Sequence, residues 1–355
     1  MKKILNILIA ALIIAGMFLV TLLGMQITGH TVKENQYRVG AILPMSGTFS
    51  YYGERSLVGI QIVNKNYPEI RVTVEDDQGD IEKAVTAATK LITIDKVNAL
   101  VTVRSSTSSA VAEIAQQYHV PLIYSSTINL PAEQNSYAFK NFVNIEKDCE
   151  ALANGLQGKK GRLLGYNLDS TQTCINGFEN KGFNLHEELF SKGETDFRTS
   201  LTKIKQANPD FIVIRADNKV LPNIFKQMKE LDIKNIQLVC PHATGAGCRE
   251  EATIQYYPEY FENALGSDSY FIETQKMKEL NIEDPIDLTF SSYENVNILF
   301  PTIIKCEGDN KCIVSELHSG TFKGLDGPIR FDSNGIAERE TNLIEFKDGE
   351  WKSIS

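Results

Sequence analysis

The sequence has no basic excess: 36 Lys and Arg stand against 45 Asp and Glu, a net charge of −9 over 355 residues. A nucleic-acid surface needs a basic stripe to neutralise phosphates, so that class of partner is not expected, and the acidic balance favours solubility. Catalytic signatures are missing as well. There is no Gly-x-Ser-x-Gly elbow, P-loop, Gly-x-Gly-x-x-Gly after the first predicted strand, or His-Glu-x-x-His. The five histidines, His30, His119, His186, His242 and His318, show no ligand or triad spacing. Ser105 has the chemistry of a nucleophile, but nothing locates a base for it. An enzyme is therefore not expected, nor is a cofactor or a metal. Low-complexity linkers and short-period repeats are absent too, which suits a chain crossing several times between two lobes.

What is present begins with size. A chain of 355 residues, 42% apolar and 23% charged, is too long for one compact core, so two domains are expected. After Lys2 and Lys3, the 22 positions Ile4–Met25 are interrupted only by Asn6, two glycines and Thr21. As a helix they reach about 33 Å, enough for a hydrocarbon core of about 30 Å. No small-x-small cleavage site follows clearly, so residues 1–30 read as an uncleaved signal anchor, with a removed signal peptide as the alternative. The flanking lysines place residues 31–355 on the extracytoplasmic side.

The cysteines agree with export. All six, Cys149, Cys174, Cys240, Cys248, Cys306 and Cys312, lie beyond the apolar segment, and an even number in an exported chain points to disulfides. Cys306 with Cys312 and Cys240 with Cys248 would close short loops, leaving Cys149 for Cys174, although spacing does not fix the pairing. A zinc site at Cys240, His242 and Cys248 would lack a fourth ligand.

From Tyr37 onward strands and helices alternate. Strands are predicted at Arg38–Leu43, Ile70–Glu75, Ala99–Val103 and Pro121–Tyr124, with helices near Gly53–Asn66, Ile81–Asp95 and Ser108–Tyr118 between them. The same rhythm restarts after residue 148: strands Arg162–Tyr166, Leu185–Phe190, Phe211–Arg215 and Ile236–Val239, with helices Thr173–Lys181, Arg198–Ala207 and Leu221–Leu231. The tail carries a helix near Leu288–Lys305 and strands near Ile329–Phe331 and Asn342–Lys347. Such alternation implies parallel sheets covered by helices on both faces, here two doubly wound α/β lobes.

In open α/β sheets a ligand binds beyond the carboxyl ends of the strands, where helix N-termini present bare N–H groups. Three polar clusters fall at such ends: Pro44–Tyr52 with Ser46, Gly47, Tyr51 and Tyr52; Ser105–Ser109; and Ser125–Thr127. Each could serve only as a cap or turn, but three at successive strand ends favour binding.

These residues also carry a resemblance. Tyr37–Ser56 (YRVGAILPMSGTFSYYGERS) looks like the opening of the branched-chain amino-acid type of periplasmic solute-binding protein. In order follow EDDQGD at Glu75–Asp80, VTVRSSTSSA at Val101–Ala110, VPLIYSST at Val120–Thr127, ETDFRTSLTKIKQANPDFIVI at Glu194–Ile214 and GLDGPIRFDSNG at Gly324–Gly335. The resemblance implies a type I periplasmic-binding fold with two lobes joined by three crossovers. The expected lobes are residues 37–146 with 270–322, and residues 147–269 with 325–355. It also implies a receptor that delivers a small polar solute, an amino acid or amide among the options, to ABC permease subunits. A sensor ectodomain of the same fold, working with a membrane signalling partner, is the alternative; no second membrane span follows in the sequence.

By residue match, Ser105 and Thr127 would hold a ligand carboxylate, with backbone N–H groups near Ser106 and Thr107. The carbonyl around Ser126 would accept from an ammonium. Tyr52 would wall the pocket, and Tyr293 matches a tyrosine on a later helix. The second lobe departs from the amino-acid pattern: Ser170, Thr171 and Gln172 stand where an aromatic is usual, Asp217 replaces another aromatic, and His242 stands at the acidic position that pairs with the ammonium. Asp217 would supply the missing negative charge or merely cap its helix. His242 would line the site or serve as a structural residue in a disulfide loop.

Overall fold

The computed structural model describes residues 36–129, 136–243, 247–270, 279, 287–325 and 327–354. The predicted membrane segment, residues 1–30, lies outside them, and among the described residues no helix is long and apolar enough to cross a membrane.

The first sheet contains β1 (Tyr37–Leu43), β2 (Ile70–Asp76), β3 (Ala99–Val103), β4 (Leu122–Ser125) and β5 (Ala138–Lys140), in the order β2-β1-β3-β4-β5, with every pairing parallel. Parallel neighbours require crossovers, and the helices α1 (Ser50–Asn64), α2 (Ile81–Thr93) and α3 (Ser105–Tyr118) supply them. The α2 spacing works as read: Ala84, Ala87, Ala88, Leu91 and Ile92 are all buried, and Asp80 caps the helix by accepting from Lys83 N–H at 3.0 Å. Strand β3 is buried along its whole length, as its unbroken apolar run requires of a central parallel strand.

The second sheet contains β6 (Gly161–Tyr166), β7 (His186–Phe190), β8 (Phe211–Arg215), β9 (Gln237–Cys240), β10 (Leu265–Ser267), β13 (Leu343–Lys347) and β14 (Glu350–Ser353), in the order β14-β13-β10-β9-β8-β6-β7. It is flanked by α4 (Ile145–Asn154), α5 (Asp169–Glu179), α6 (Arg198–Ala207) and α7 (Leu221–Glu230), with a short α8 (Glu251–Tyr256) after β9. Its last two strands are antiparallel, turned by Asp348 and Gly349 at φ +57° and +86°, the Asp-Gly geometry that matches strand twist.

Helix α9 (Asp287–Lys305) returns to the first sheet and packs along α1, where a side chain at Gly59 would collide with the Thr289 carbonyl. It is followed by α10 (Asn310–Ser319) and the small ribbon of β11 (Phe322–Lys323) and β12 (Pro328–Ile329). The chain thus passes between the two sheets three times: after β5, between β10 and α9, and between β12 and β13. Each sheet has one apolar cluster on each face, as a doubly wound arrangement demands.

The six cysteines pair as Cys149–Cys174, Cys240–Cys248 and Cys306–Cys312, which spends both cysteines of the zinc alternative. The first bridge ties α4 to α5 and the third ties α9 to α10. Several elements were not read from the sequence: β5, α4, α8, β10, α10, β11 and β14. Strands β5 and β10 have three residues each, too short to show a period. In α4, however, the pattern was present, with Ile145, Asp148, Cys149, Leu152 and Ala153 buried on one face and Asn144 as its cap.

Candidate functional site in the cleft between the lobes

The first lobe meets the cleft at the carboxyl ends of β3 and β4. There Ser105 Oγ lies 3.3 Å from Thr127 Oγ1, and Ser126 Oγ lies 3.0 Å from Ser105 Oγ and 2.9 Å from the Ile128 carbonyl oxygen. Adjacent parallel strands bring the ends of β3 and β4 together, so two clusters separated in sequence form one hydroxyl patch. Helix α3 starts in this patch, and its N-cap residue Arg104 makes no side-chain cap bond. Its first-turn N–H groups therefore have no intrahelical acceptor and favour an anion. Ser106 is exposed at this turn, whereas Thr107 is buried and donates its hydroxyl to the Val103 carbonyl at 3.0 Å.

Arg104 was missed by the sequence reading. It sits at φ +74° and ψ 143°, a region almost reserved for glycine, with a typical cost of about 1–3 kcal/mol. Its guanidinium donates to the Gly79 carbonyl at 3.0 Å and lies 3.5 Å from the Phe49 ring centroid. A side chain at Gly79, itself at φ +72°, would collide with both groups. Lys192, from the loop after β7 in the second lobe, reaches the same ring at 3.7 Å. Phe49 also stacks on Tyr52, centroid to centroid at 6.4 Å. Burial pushes the Tyr52 phenol up to about 12, with the nearby charges of Asp217 and Asp287 adding to the shift and Arg104 opposing it.

The second lobe contributes Asp217, just beyond β8. Its Oδ1 accepts from the N–H groups of Lys219 and Val220 at 3.0 and 3.2 Å, and its Oδ2 accepts from the Tyr166 hydroxyl at 3.0 Å. Tyr166 ends β6 and packs on Phe190 at 4.7 Å, so an aromatic faces the site, on the strand rather than in the segment after it. Burial and the Asp217 charge both raise the Tyr166 phenol.

His242 follows β9 and is buried. Its Nε2 lies 2.7 Å from Asp287 Oδ2, off the hydrogen-bonding direction of the ring, and its ring meets Phe142 edge-on at 5.6 Å. Burial alone would lower this imidazole's pKa, but the Asp287 and Asp268 carboxylates outweigh it and the net shift is upward. His242 thus joins the second lobe to the start of α9.

Tyr293 is not brought into this group. On α9, Ser291 and Asn295 turn toward Ser125, and Glu294 pairs with Arg339. At about 100° per residue, Tyr293 then points elsewhere, and it packs against the first-sheet core with Tyr67 as its neighbour.

The lobes are tied at their crossovers by buried polar groups. Arg339 donates to Asn141 Oδ1 at 3.0 and 2.7 Å and pairs with Glu294. Lys140 donates to Asn129 Oδ1 at 2.9 Å, and burial brings its ammonium down to about 7.

Two doubly wound lobes are joined by three crossovers, and side chains from the two meet across the gap where Lys192 reaches Phe49 and where His242 reaches Asp287. The family model of the Periplasmic binding protein matches residues 36–350, and the chain belongs to that family, whose members bind solutes rather than transform them. The leucine binding protein LivK of Thermotoga maritima has a similar structure, with a TM-score of 0.74 and 22% identity over 90% of this chain and 98% of that one. A solute binding protein of an ABC transporter from Rhodopseudomonas palustris, in complex with 3,4-dihydroxybenzoic acid, superposes at TM-score 0.73 with 20% identity, covering 90% and 95%. Glutamate receptor 1.1 of Arabidopsis thaliana is 23% identical over 88% of this chain, which spans only 43% of that receptor's length.

Proposed function

We propose that this chain is the extracytoplasmic receptor of an ABC importer, capturing a small carboxylate-bearing solute by closure of its two lobes. The observation that carries this reading is the patch of Ser105, Ser126 and Thr127 hydroxyls at the uncapped start of α3, in the lobe whose Tyr52 feels the Asp217 charge of the other. Hydroxyls and bare amides hold a carboxylate without a salt bridge, and Tyr52 walls the space beside them. Residues 37–146 with 270–322 would move as one lobe and 147–269 with 325–355 as the other. The apolar segment Ile4–Met25 would hold the receptor at the membrane, where the closed form docks on permease subunits.

Thermal shift of the full-length chain against amino acids, amides and organic acids tests the capture role. A stabilising acid is expected, and its absence across the panel defeats the reading. A ligand-binding sensor ectodomain is favoured as the second reading by the similarity to the plant receptor. Co-purification of a permease and its ATPase supports import; co-purification of a signalling membrane protein supports sensing.

A further inference from the structure

The lobes are joined on one side and meet again on the other. Asp148, just after the first crossover, accepts from Ser267 Oγ at the second at 3.1 Å and from Thr341 Oγ1 at the third at 2.8 Å. The crossovers of the second lobe therefore gather beside β10. Four strand spacings separate β10 from β7 in the order β10-β9-β8-β6-β7, roughly 19 Å at about 4.8 Å each. In the first sheet the first crossover leaves from β5, whereas β2 and β1 occupy the opposite side. When two lobes turn about their crossovers, groups at these far sides travel most.

Both far sides are built to meet. Phe49 follows β1, and its ring is seated by Tyr52, at 6.4 Å between centroids, and by the Arg104 guanidinium, 3.5 Å from its centroid. Gly79, just after β2, leaves the room for this seat, since a side chain there would collide with both Arg104 and Phe49. On the second lobe, Ser191–Glu194 after β7 forms a tight turn. The Glu194 N–H donates to the Ser191 carbonyl at 3.2 Å, Glu194 Oε2 accepts from the Ser191 N–H at 3.2 Å, and Gly193 takes φ +92° at the third position. Lys192 stands at the corner of this turn, and its Nζ lies 3.7 Å from the Phe49 centroid. Asp217, on its own lobe, attracts the ammonium, while Arg104 and Lys219 repel it. The negative face of the ring is the first-lobe group that it touches.

We infer that Lys192 and Phe49 form a latch at the mouth of the cleft, which holds the two lobes closed whatever solute lies between them. The inference rests on the lobes closing over the capture site. Lys192 then sets affinity as a positioning residue: its loss weakens every solute by the same factor, because it acts on closure and not on the ligand.

The lobe-to-lobe distance of the full-length chain tests it. Spin labels on Glu54→Cys in α1 and Glu187→Cys in β7, both exposed, report that distance by pulsed electron resonance, and all six native cysteines are already bridged. Lys192→Gln and Phe49→Leu are each expected to lower the ratio of closed to open populations about threefold. Lys192→Arg, which keeps a cation for the ring, is expected to retain the native ratio. Distributions that match the native chain in both variants, or a change confined to one of the two, overturn the latch. A change that Lys192→Arg shares with Lys192→Gln overturns it as well. The measurement needs no ligand, so its failure is separate from that of the thermal-shift panel: a panel without a stabilising acid defeats the capture reading, whereas unchanged distances defeat the latch alone.

Discussion

The first lobe meets the cleft with hydroxyls and bare amides, whereas the acid and the imidazole of the second, Asp217 and His242, already have partners. Ser105, Ser126 and Thr127 touch mainly one another, but Asp217 accepts from two turn N–H groups and a tyrosine, and His242 pairs with Asp287. Similar α/β units have thus produced faces of different kinds: one adaptable, with rotors and orphan N–H groups, and one preorganised. A fixed face loses less conformational freedom when a ligand is held against it than an adaptable one does.

The contrast holds only while the lobes stay coupled, so the largest effect is expected where they join. Arg339→Met leaves Glu294, 1% exposed, without its cation. A loss of about 3–5 kcal/mol is expected by denaturant unfolding, and a loss under 1 kcal/mol would show that the crossover charges do not couple the lobes.

Lys140→Met acts in the opposite sense. A lysine lowered from 10.5 to about 7 on folding binds fewer protons folded than unfolded between those values, so stability rises with pH across that window and the cost is full below about 7. The variant is expected to gain up to about 4 kcal/mol near pH 6, with the gain vanishing towards pH 10.5. Because His242, with its raised pKa, contributes stability that is lost as pH rises above its unfolded value, the variant-minus-native difference is the quantity to follow. A difference independent of pH would refute the assignment.

The second lobe's staple comes next. Cys149 and Cys174 are 25 residues apart and Cys306 and Cys312 only 6, so replacing the first pair with serines should cost about 3.5 kcal/mol and the second nearer 2. Equal losses by calorimetry would mean that loop length does not govern them.

The cleft faces themselves are separated by paired variants. Ser105→Ala is expected to weaken a bound acid about tenfold, or about 1.4 kcal/mol, with stability unchanged. Asp217→Ala is expected to cost about 1 kcal/mol of stability, because the N–H groups of Lys219 and Val220 lose their side-chain acceptor, with a smaller effect on affinity. The reverse pattern would exchange the roles of the two lobes. The smallest effect is a backbone one: Arg104→Gly should be about 1 kcal/mol more stable than Arg104→Ala, because only glycine tolerates φ +74° and ψ 143° without strain.

Much of the architecture was legible locally. Ala99–Val103 and Phe211–Arg215 are unbroken apolar runs, and Arg198–Ala207 ends where Asn208, Pro209 and Asp210 break it. The hairpin at Asp348 and Gly349 carried a readable turn signal that the strand reading did not use. Strands β5 and β10 carried none, because three residues gain strand character only from the neighbours that pair with them.

The site divides along the same line. That Ser105, Ser126 and Thr127 lie beyond the ends of β3 and β4 was legible because the end of a parallel strand is a local event. Tyr293 packs against the first-sheet core, because helix rotation is set by what α9 packs against and not by its place in the sequence. The sequence by itself determined the two α/β rhythms and the hydroxyl clusters, which depend on neighbours a few residues away. Only the tertiary structure decided that Lys192 and Arg104 share the ring of Phe49, that Asp217 belongs to Tyr166, and that His242 belongs to Asp287. Those partnerships join residues tens of positions apart, where charge and geometry become known only after the chain has folded.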